Sequence, residues 1–216
     1  SASCVARSRA SRVGSFDQGV LCSDTPADAF ETGIEAVRIA VTYMTPVIVL
    51  SDGYIANGAE PWKLPKIEDL KPFPKPFLGS VPEGGFLPYA RDQHLARPWV
   101  KPGTPGLEHR VGGLEKAHLT GHINYEPENH EFMVRMRQNK VMGVRETIPT
   151  PNVFGDSTGE LLVVGWGSTK GAITSAIEKL HAKGKKVSSL HLRHVWPLPK
   201  GWTRSSAASS RSSCPR

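Results

Sequence analysis

Apolar residues recur at spacings of four, three and four in Phe30, Ile34, Val37 and Val41, which predicts an amphipathic helix running to about Tyr43. Thr25 and Pro26 form its start signal, a capping hydroxyl followed by a proline pre-set at the first position, with Asp28 adding negative charge to the first turn. Thr45 and Pro46 end it, and the apolar run Val47 to Leu50 reads as a buried strand. Far down the chain the pattern returns. Glu160 to Val164 is an apolar run without helical period, and Gly165 and Gly167 break it. Ser168 or Thr169 then caps a helix that carries Ile173, Ala176, Ile177 and Leu180 on one face. Gly184 stops this helix among Lys183, Lys185 and Lys186, and a strand from Val187 to Val195 follows. Strand, helix, strand in one sheet implies a parallel pair with a right-handed crossover.

The fold class expected is α/β, with partial parallel sheets from two incomplete domains joined by a long arm rich in proline, glycine and aromatic residues. A parallel sheet needs cover on both faces, and each unit offers one helix. The closing run from Gly201 has no apolar periodicity and is expected to supply neither a strand nor a helix. Both ends therefore read as truncated. The expected division is an aberrant or disordered tail over 1–22, the first incomplete unit over 23–60, the arm and linker over 61–158, the second unit over 159–200, and a second tail over 201–216.

Prolines and glycines from Pro61 to Gly106 exclude long helices, yet the stretch keeps Trp62, Phe73, Phe77, Phe86, Tyr89 and Trp99. A flexible linker is poor in aromatics, so an arm laid over other protein is the better reading. Pro127 opens a helix to about Lys140, with Phe132, Met133 and Met136 on its apolar side. The polar run from Thr147 to Gly159 is a connector.

The formal net charge of +7 suggests nucleic acid until its distribution is read. Arg7, Arg9 and Arg12 outweigh Asp17 at one end, Arg204, Arg211 and Arg216 lie at the other, and the body between is nearly neutral. No clustered cationic face for a phosphate lattice emerges, and no apolar run approaches the roughly 18 residues of a membrane span. Cys4, Cys22 and Cys214 are scattered and odd in number, which excludes a disulfide framework or a cysteine metal site and points to a soluble, cytoplasmic protein.

Candidate chemistry is sparse. GWGSTKG after a strand invites a dinucleotide reading, but Lys170 stands where the third glycine belongs and the next strand ends HLRHVW without an acid. The turn reads as packing geometry. Asp52, at the C-terminal rim of a strand, is either a catalytic carboxylate or a residue bonding nearby amides in an Asp-Gly turn, the second being the simpler reading. His118 and His122 share a face only if they lie on a helix, and Gly121 argues for loop residues instead of zinc ligands. Glu108, His109 and Arg110 are the better candidates, since consecutive charged groups in a glycine-flanked loop can reach a bound anion.

The run TPADAFETGIEAVRIAVTYMTPVIVLSDGYIANGAEPWKLP, then PGTPGLEHRVGGLEKAHLTG, ENHEFMVRMRQNKV and GELLVVGWGSTKGAITSAIEKLHAKGKKVSSLHLRHVWPLPKG together resemble the alpha subunit of 2-oxoacid:ferredoxin oxidoreductase, most like the 2-oxoglutarate type. The resemblance covers about Pro26 to Gly201. It implies oxidative decarboxylation of 2-oxoglutarate or a related 2-oxoacid on thiamine diphosphate, with electrons passing through an iron–sulfur cluster to ferredoxin and release of an acyl-coenzyme A. It implies that residues 23–60 end a pyrimidine-binding domain and 159–200 begin a transketolase C-terminal-like domain. The family's YPITPSS and RGGPSTGLPTK segments belong upstream of the matched region. No catalytic, cofactor-binding or metal residue is therefore carried over, and Glu108, His109 and Arg110 are expected at the interface that closes the site. Thiamine diphosphate, Mg and the cluster are expected in the whole complex, with the beta subunit as partner and ferredoxin and coenzyme A acting on the complex. The chain alone is expected to be inactive. The alternative is a non-catalytic assembly module that uses the aromatic arm.

Overall fold

The computed structural model describes residues 18–74, 77–156 and 158–200, together with the backbone of a strand over 209–213. In chain order the main elements are β1 (Gly19–Cys22), α1 (Asp28–Tyr43), β2 (Val47–Leu50), α2 (Gly53–Asn57), β3 (Phe77–Leu78), β4 (Trp99–Val100) and α3 (Pro127–Gly143). They continue with β5 (Val153–Phe154), β6 (Gly159–Gly165), α4 (Thr169–His181), β7 (Val187–His191), β8 (His194–Trp196) and β9 (Ser209–Ser213). Two sheets organise the molecule, one ordered β2-β1-β8 and the other β5-β7-β6-β9, with β3 and β4 as a small parallel pair in the arm. The α/β class expected from the pattern is the architecture found.

The first sheet is built around β1. All four of its residues are buried, Leu21 against Ile39, Tyr43, Val144 and Ile148 on one face, and Val20 and Cys22 against Val195 on the other. Burial of a side chain such as Leu21 stabilises by roughly 2 kcal/mol. The boundary expected at residue 22 therefore cuts through the centre of a sheet. A four-residue strand next to a Ser/Arg-rich segment carries no periodic signal, so its burial on both faces was invisible. β2 pairs parallel to β1 from Gly19↔Val47 to Cys22↔Leu50, but Ile48, Val49 and Leu50 stay about 40% exposed. That outer strand is not the buried one expected.

Helix α1 turns a different face to β1 from the one its largest residues mark. Thr32, Ala36, Ile39 and Tyr43 are buried, whereas Phe30 and Val37 are exposed. Small side chains let the helix lie close to the sheet, and the bulky stripe instead meets the arm, with Phe30 and Trp62 ring centroids 5.2 Å apart. Thr25 does act at the start, its hydroxyl accepting from the Asp28 amide at 3.1 Å. Met44, at φ 43°, closes the helix in the left-handed region.

In the second unit β6 and β7 are parallel, in register from Leu161↔Val187 to Gly165↔His191, around α4. The single strand expected from Val187 to Val195 is two. Leu192 remains on the second sheet, bonding Gly165 O at 2.9 Å, while Arg193 O accepts from Cys22 at 2.8 Å and β8 crosses to pair antiparallel with β1. Arg193 and His194 carry this crossing because both find carboxylates on α1. The tail expected to hold no strand provides β9, parallel to β6 from Gly159↔Ser209 to Val163↔Ser213. Main-chain bonding to an open sheet edge requires no apolar pattern, which is why composition missed it. The other tail residues lie outside the described part.

Candidate functional site

The C-terminal ends of the parallel strands gather on one rim. β1 runs out into Ser23–Asp24–Thr25, β2 into Ser51–Asp52–Gly53, and β6 into Gly165–Trp166–Gly167–Ser168. Open parallel sheets place ligands at such a rim. A cleft of about 660 Å³ opens there, with Asp24, Tyr54 and Glu60 on one side and Ser168, Thr169 and Gly171 on the other.

Asp52 is the residue around which the rim is organised. One carboxylate oxygen accepts from the amides of Tyr54 and Ile55 at 3.0 Å each, capping α2, and the other accepts from the Ser168 hydroxyl. The Ser168 hydroxyl, the Ile55 amide and further amides hold the Asp52 carboxyl below its ordinary range. Ser168 is thus not the helix cap that its position suggested, because its hydroxyl points across to the other unit. Thr169 Oγ1 likewise donates to Trp166 O at 2.7 Å instead of capping α4. Asp24 pairs with Lys170 in the same way, one partner from each unit. Glu60 accepts from the Ala27 amide at 2.5 Å, and a hydroxyl bond from Thr25, its largest influence, lowers its pKa. His191, at the end of β7, is pushed down by burial, with the Asp24 charge opposing.

These carboxylates are already taken. Asp52 and Asp24 accept donors that fix one unit against the other, while Glu60 ties down the start of α1 within its own unit, so the rim works as a junction, and Asp52 follows the turn-residue reading with an added cross-link. Gly165 supports the packing reading of the glycine turn, since a Cβ there would sit 2.4 Å from Ile173 Cδ1.

The GLEHR loop lies elsewhere, along the arm. Glu108 and His109 line a second cavity of about 420 Å³ with Trp99 and Leu107, while exposed Arg110 does not line it. His109 Nδ1 lies 2.9 Å from Leu107 O, its Nε2 lies 3.3 Å from Arg97 Nη1, and the Phe86 ring packs edge-on 5.4 Å away. Arg97, which the sequence did not single out, is the partner that orients His109. His118 and His122 are not on a helix. They belong to a tight loop closed by the Lys116↔Ile123 bridge, with Leu119 and Gly121 at positive φ, and His118 Nδ1 lies 2.8 Å from Arg91 Nη1.

Among the described residues no group of three His, Cys, Asp or Glu side chains could hold a metal ion, and the one described cysteine, Cys22, is buried in the core. The single described cysteine does not fit an iron–sulfur cluster, which takes several thiolates. Among the same residues no helix is long and apolar enough to cross a membrane.

Residues 6–126 match the family model described as pyruvate flavodoxin/ferredoxin oxidoreductase, thiamine diphosphate-binding. The chain belongs to the 2-oxoacid:ferredoxin oxidoreductase alpha-subunit family. It is 51% identical over 191 residues to the 2-oxoglutarate oxidoreductase subunit KorA of Mycobacterium tuberculosis, covering 87% of this chain and 28% of that protein. It is 34% identical to the 2-oxoacid:ferredoxin oxidoreductase 1 alpha subunit of Aeropyrum pernix, covering 87% and 29%. The 2-oxoglutarate:ferredoxin oxidoreductase of Magnetococcus marinus superimposes with a TM-score of 0.80 at 29% identity, over 92% of this chain and 35% of that one. This alpha-subunit chain therefore spans under a third of the length of these two curated relatives. The family match takes in the arm as well as β1, α1 and β2, and the resemblance read from the sequence holds.

Proposed function

We propose that this chain forms part of the alpha subunit of a thiamine diphosphate-dependent 2-oxoacid:ferredoxin oxidoreductase, with 2-oxoglutarate as the substrate. The observation that carries the reading is the 51% identity to KorA, maintained over 87% of the chain. When bound in the assembled complex, thiamine diphosphate supplies the carbanion-stabilising chemistry for decarboxylation. In the complex the beta subunit would hold the cofactor's diphosphate and Mg, other polypeptide would hold the iron–sulfur cluster that supplies electron transfer toward ferredoxin, and coenzyme A would be the acyl acceptor.

The contribution of this chain is positional. Asp52–Ser168 and Asp24–Lys170 fix the pyrimidine-type unit to the transketolase-type unit, and the arm, clamped on α1, presents Glu108, His109 and Arg110 toward a neighbouring subunit. Fixed geometry of this kind lowers the cost of bringing reactants together. The exposed apolar face of β2 fits burial by further polypeptide of the same assembly. The test is 2-oxoacid-dependent reduction of a viologen dye. The assembled complex containing this chain should turn over 2-oxoglutarate in the presence of coenzyme A, and the chain alone should not. Turnover by the isolated chain, or a complex indifferent to 2-oxoglutarate, overturns the proposal.

A further inference from the structure

A third cavity, of about 510 Å³, lies between the arm, the 113–116 loop and α3, and its charge is out of balance. Arg91, Arg97, Lys116, Arg137 and Lys140 line it, against the single carboxylate of Glu115. That carboxylate is fully engaged, one oxygen with Arg137 at 3.0 Å and the other with His130 at 2.6 Å. It holds its proton weakly. Burial raises the Glu115 pKa, but the bonds from His130 and Arg137 outweigh that and lower it.

Arg91, Arg97 and Lys116 make do with uncharged partners. Lys116 is 2% exposed and donates to the carbonyls of Gly112 and Leu114, which leaves its third N–H. Lys140 donates to Met44 O at 2.9 Å. Arg91 reaches Tyr89 O, His118 Nδ1 and the Met133 sulfur, and Arg97 reaches His109 Nε2. Both guanidinium groups also lie over the Tyr89 ring, 5.8 Å from its centroid. No carboxylate among the described residues pairs with Arg91, Arg97 or Lys116. Cations enclosed at this density without counter-charge are costly unless an anion joins them.

We propose that this cavity binds a multiply charged phosphate-type anion, a diphosphate or a phosphate ester. The excess of four positive charges over one carboxylate calls for more than one negative charge. Two guanidinium forks suit pairs of non-bridging oxygens, and two ammonium groups act as point charges on the remainder. Met44, Met133 and Met136 line the rest of the cavity with adaptable apolar surface that accommodates a larger body attached to the phosphate. The site adjoins the cavity of Glu108 and His109, with Met44 and Arg97 lining both.

The test uses inorganic pyrophosphate on the full chain, read by titration calorimetry and thermal shift in about 0.15 M salt, where diffuse surface attraction is screened. Saturable binding with a rise in melting temperature is expected, weakened at least tenfold in Arg97→Gln and in Arg91→Gln. Lys185→Gln, an exposed lysine far along the chain, removes the same charge and should change nothing. Should Arg97→Gln not fold, as judged by circular dichroism, Arg91→Gln alone decides. Absence of saturable binding, equal loss in Lys185→Gln, or binding of 2-oxoglutarate without pyrophosphate overturns the assignment.

Discussion

His194 Nε2 lies 2.8 Å from Glu35 Oε1, joining the β8 strand to α1 across 159 residues of chain, and the other Glu35 oxygen takes Arg193 at 3.3 Å. Burial pushes the Glu35 carboxyl up, but the hydrogen bond and charge of His194 and the charge of Arg193 outweigh it and leave the pKa below the ordinary 4.5. A depressed carboxylate contributes stability that is fully present above its unfolded value and is lost as pH falls through the folded one. Glu35→Gln should therefore lower stability at pH 7 by about 1–3 kcal/mol, because partly buried donors lose a charged acceptor. It should also flatten the loss of stability below pH 4.5 relative to the parent chain. Urea unfolding at pH 7 and pH 4 checks both, and an unchanged difference between the two pH values would refute the linkage.

Gly165 and Gly33 predict opposite outcomes for the same substitution. A Cβ at Gly165 would meet Ile173 Cδ1 at 2.4 Å and Thr169 Oγ1 at 2.9 Å, so Gly165→Ala forces α4 or its side chains away from β6, at about 1–3 kcal/mol. Gly33 sits within α1 with nothing within 4 Å of the added carbon, so Gly33→Ala should stabilise by about 0.5–1 kcal/mol. Thermal melts of the two variants side by side give the signs directly.

The elements with strong local signals were legible in the sequence. Pro127 opens α3, Gly184 ends α4 at φ 71°, and the β6-α4-β7 crossover follows the apolar runs. What failed was information held at long range. Nothing near Ser168 announces that its hydroxyl serves Asp52 instead of its own helix, and nothing near Leu192 announces that the strand will change sheets. The face of α1 was misread for a related reason. Period alone cannot distinguish a helix with one apolar side from one packed between a sheet and an arm, and the small residues Thr32 and Ala36 took the close contact. At the candidate site the loop holding Glu108 and His109 was found by composition, whereas Arg97, twelve residues from His109, carried no mark.

The arm is anchored by hydrogen bonds as well as by rings. Trp99 Nε1 donates to Val41 O at 2.9 Å, and Arg38 reaches the carbonyls of Pro72 and Lys71 at 2.8 and 2.7 Å while its guanidinium lies over Phe73. Trp99→Phe keeps the apolar bulk but removes the donor, which should cost about 1 kcal/mol locally. Arg38→Ala releases the 71–73 segment. Limited trypsin digestion should then cut after Lys66, whose next residue is Ile67, several-fold faster in Arg38→Ala, with little change in the global melting temperature. A parallel fall in global melting temperature would mean that arm and core unfold together.

His109 and Arg110 are adjacent yet should separate in the assembled complex. His109 is held by Arg97, the Leu107 carbonyl and the Phe86 ring, so its imidazole is fixed against the cavity wall, whereas Arg110 is exposed. A preoriented group acts on the reaction through geometry, and an exposed cation acts on association and its salt dependence. His109→Ala is therefore expected to lower kcat/KM for the 2-oxoacid by about tenfold, roughly 1.4 kcal/mol, with subunit affinity unchanged. Arg110→Ala should leave kcat within about twofold and weaken subunit association, most clearly at low ionic strength. Steady-state dye reduction paired with sedimentation of the mixed subunits separates the two. If Arg110→Ala proves to be the catalytic defect and His109→Ala the assembly defect, the loop faces its partner the other way round and the assignment of the cavity wall to the reaction is wrong.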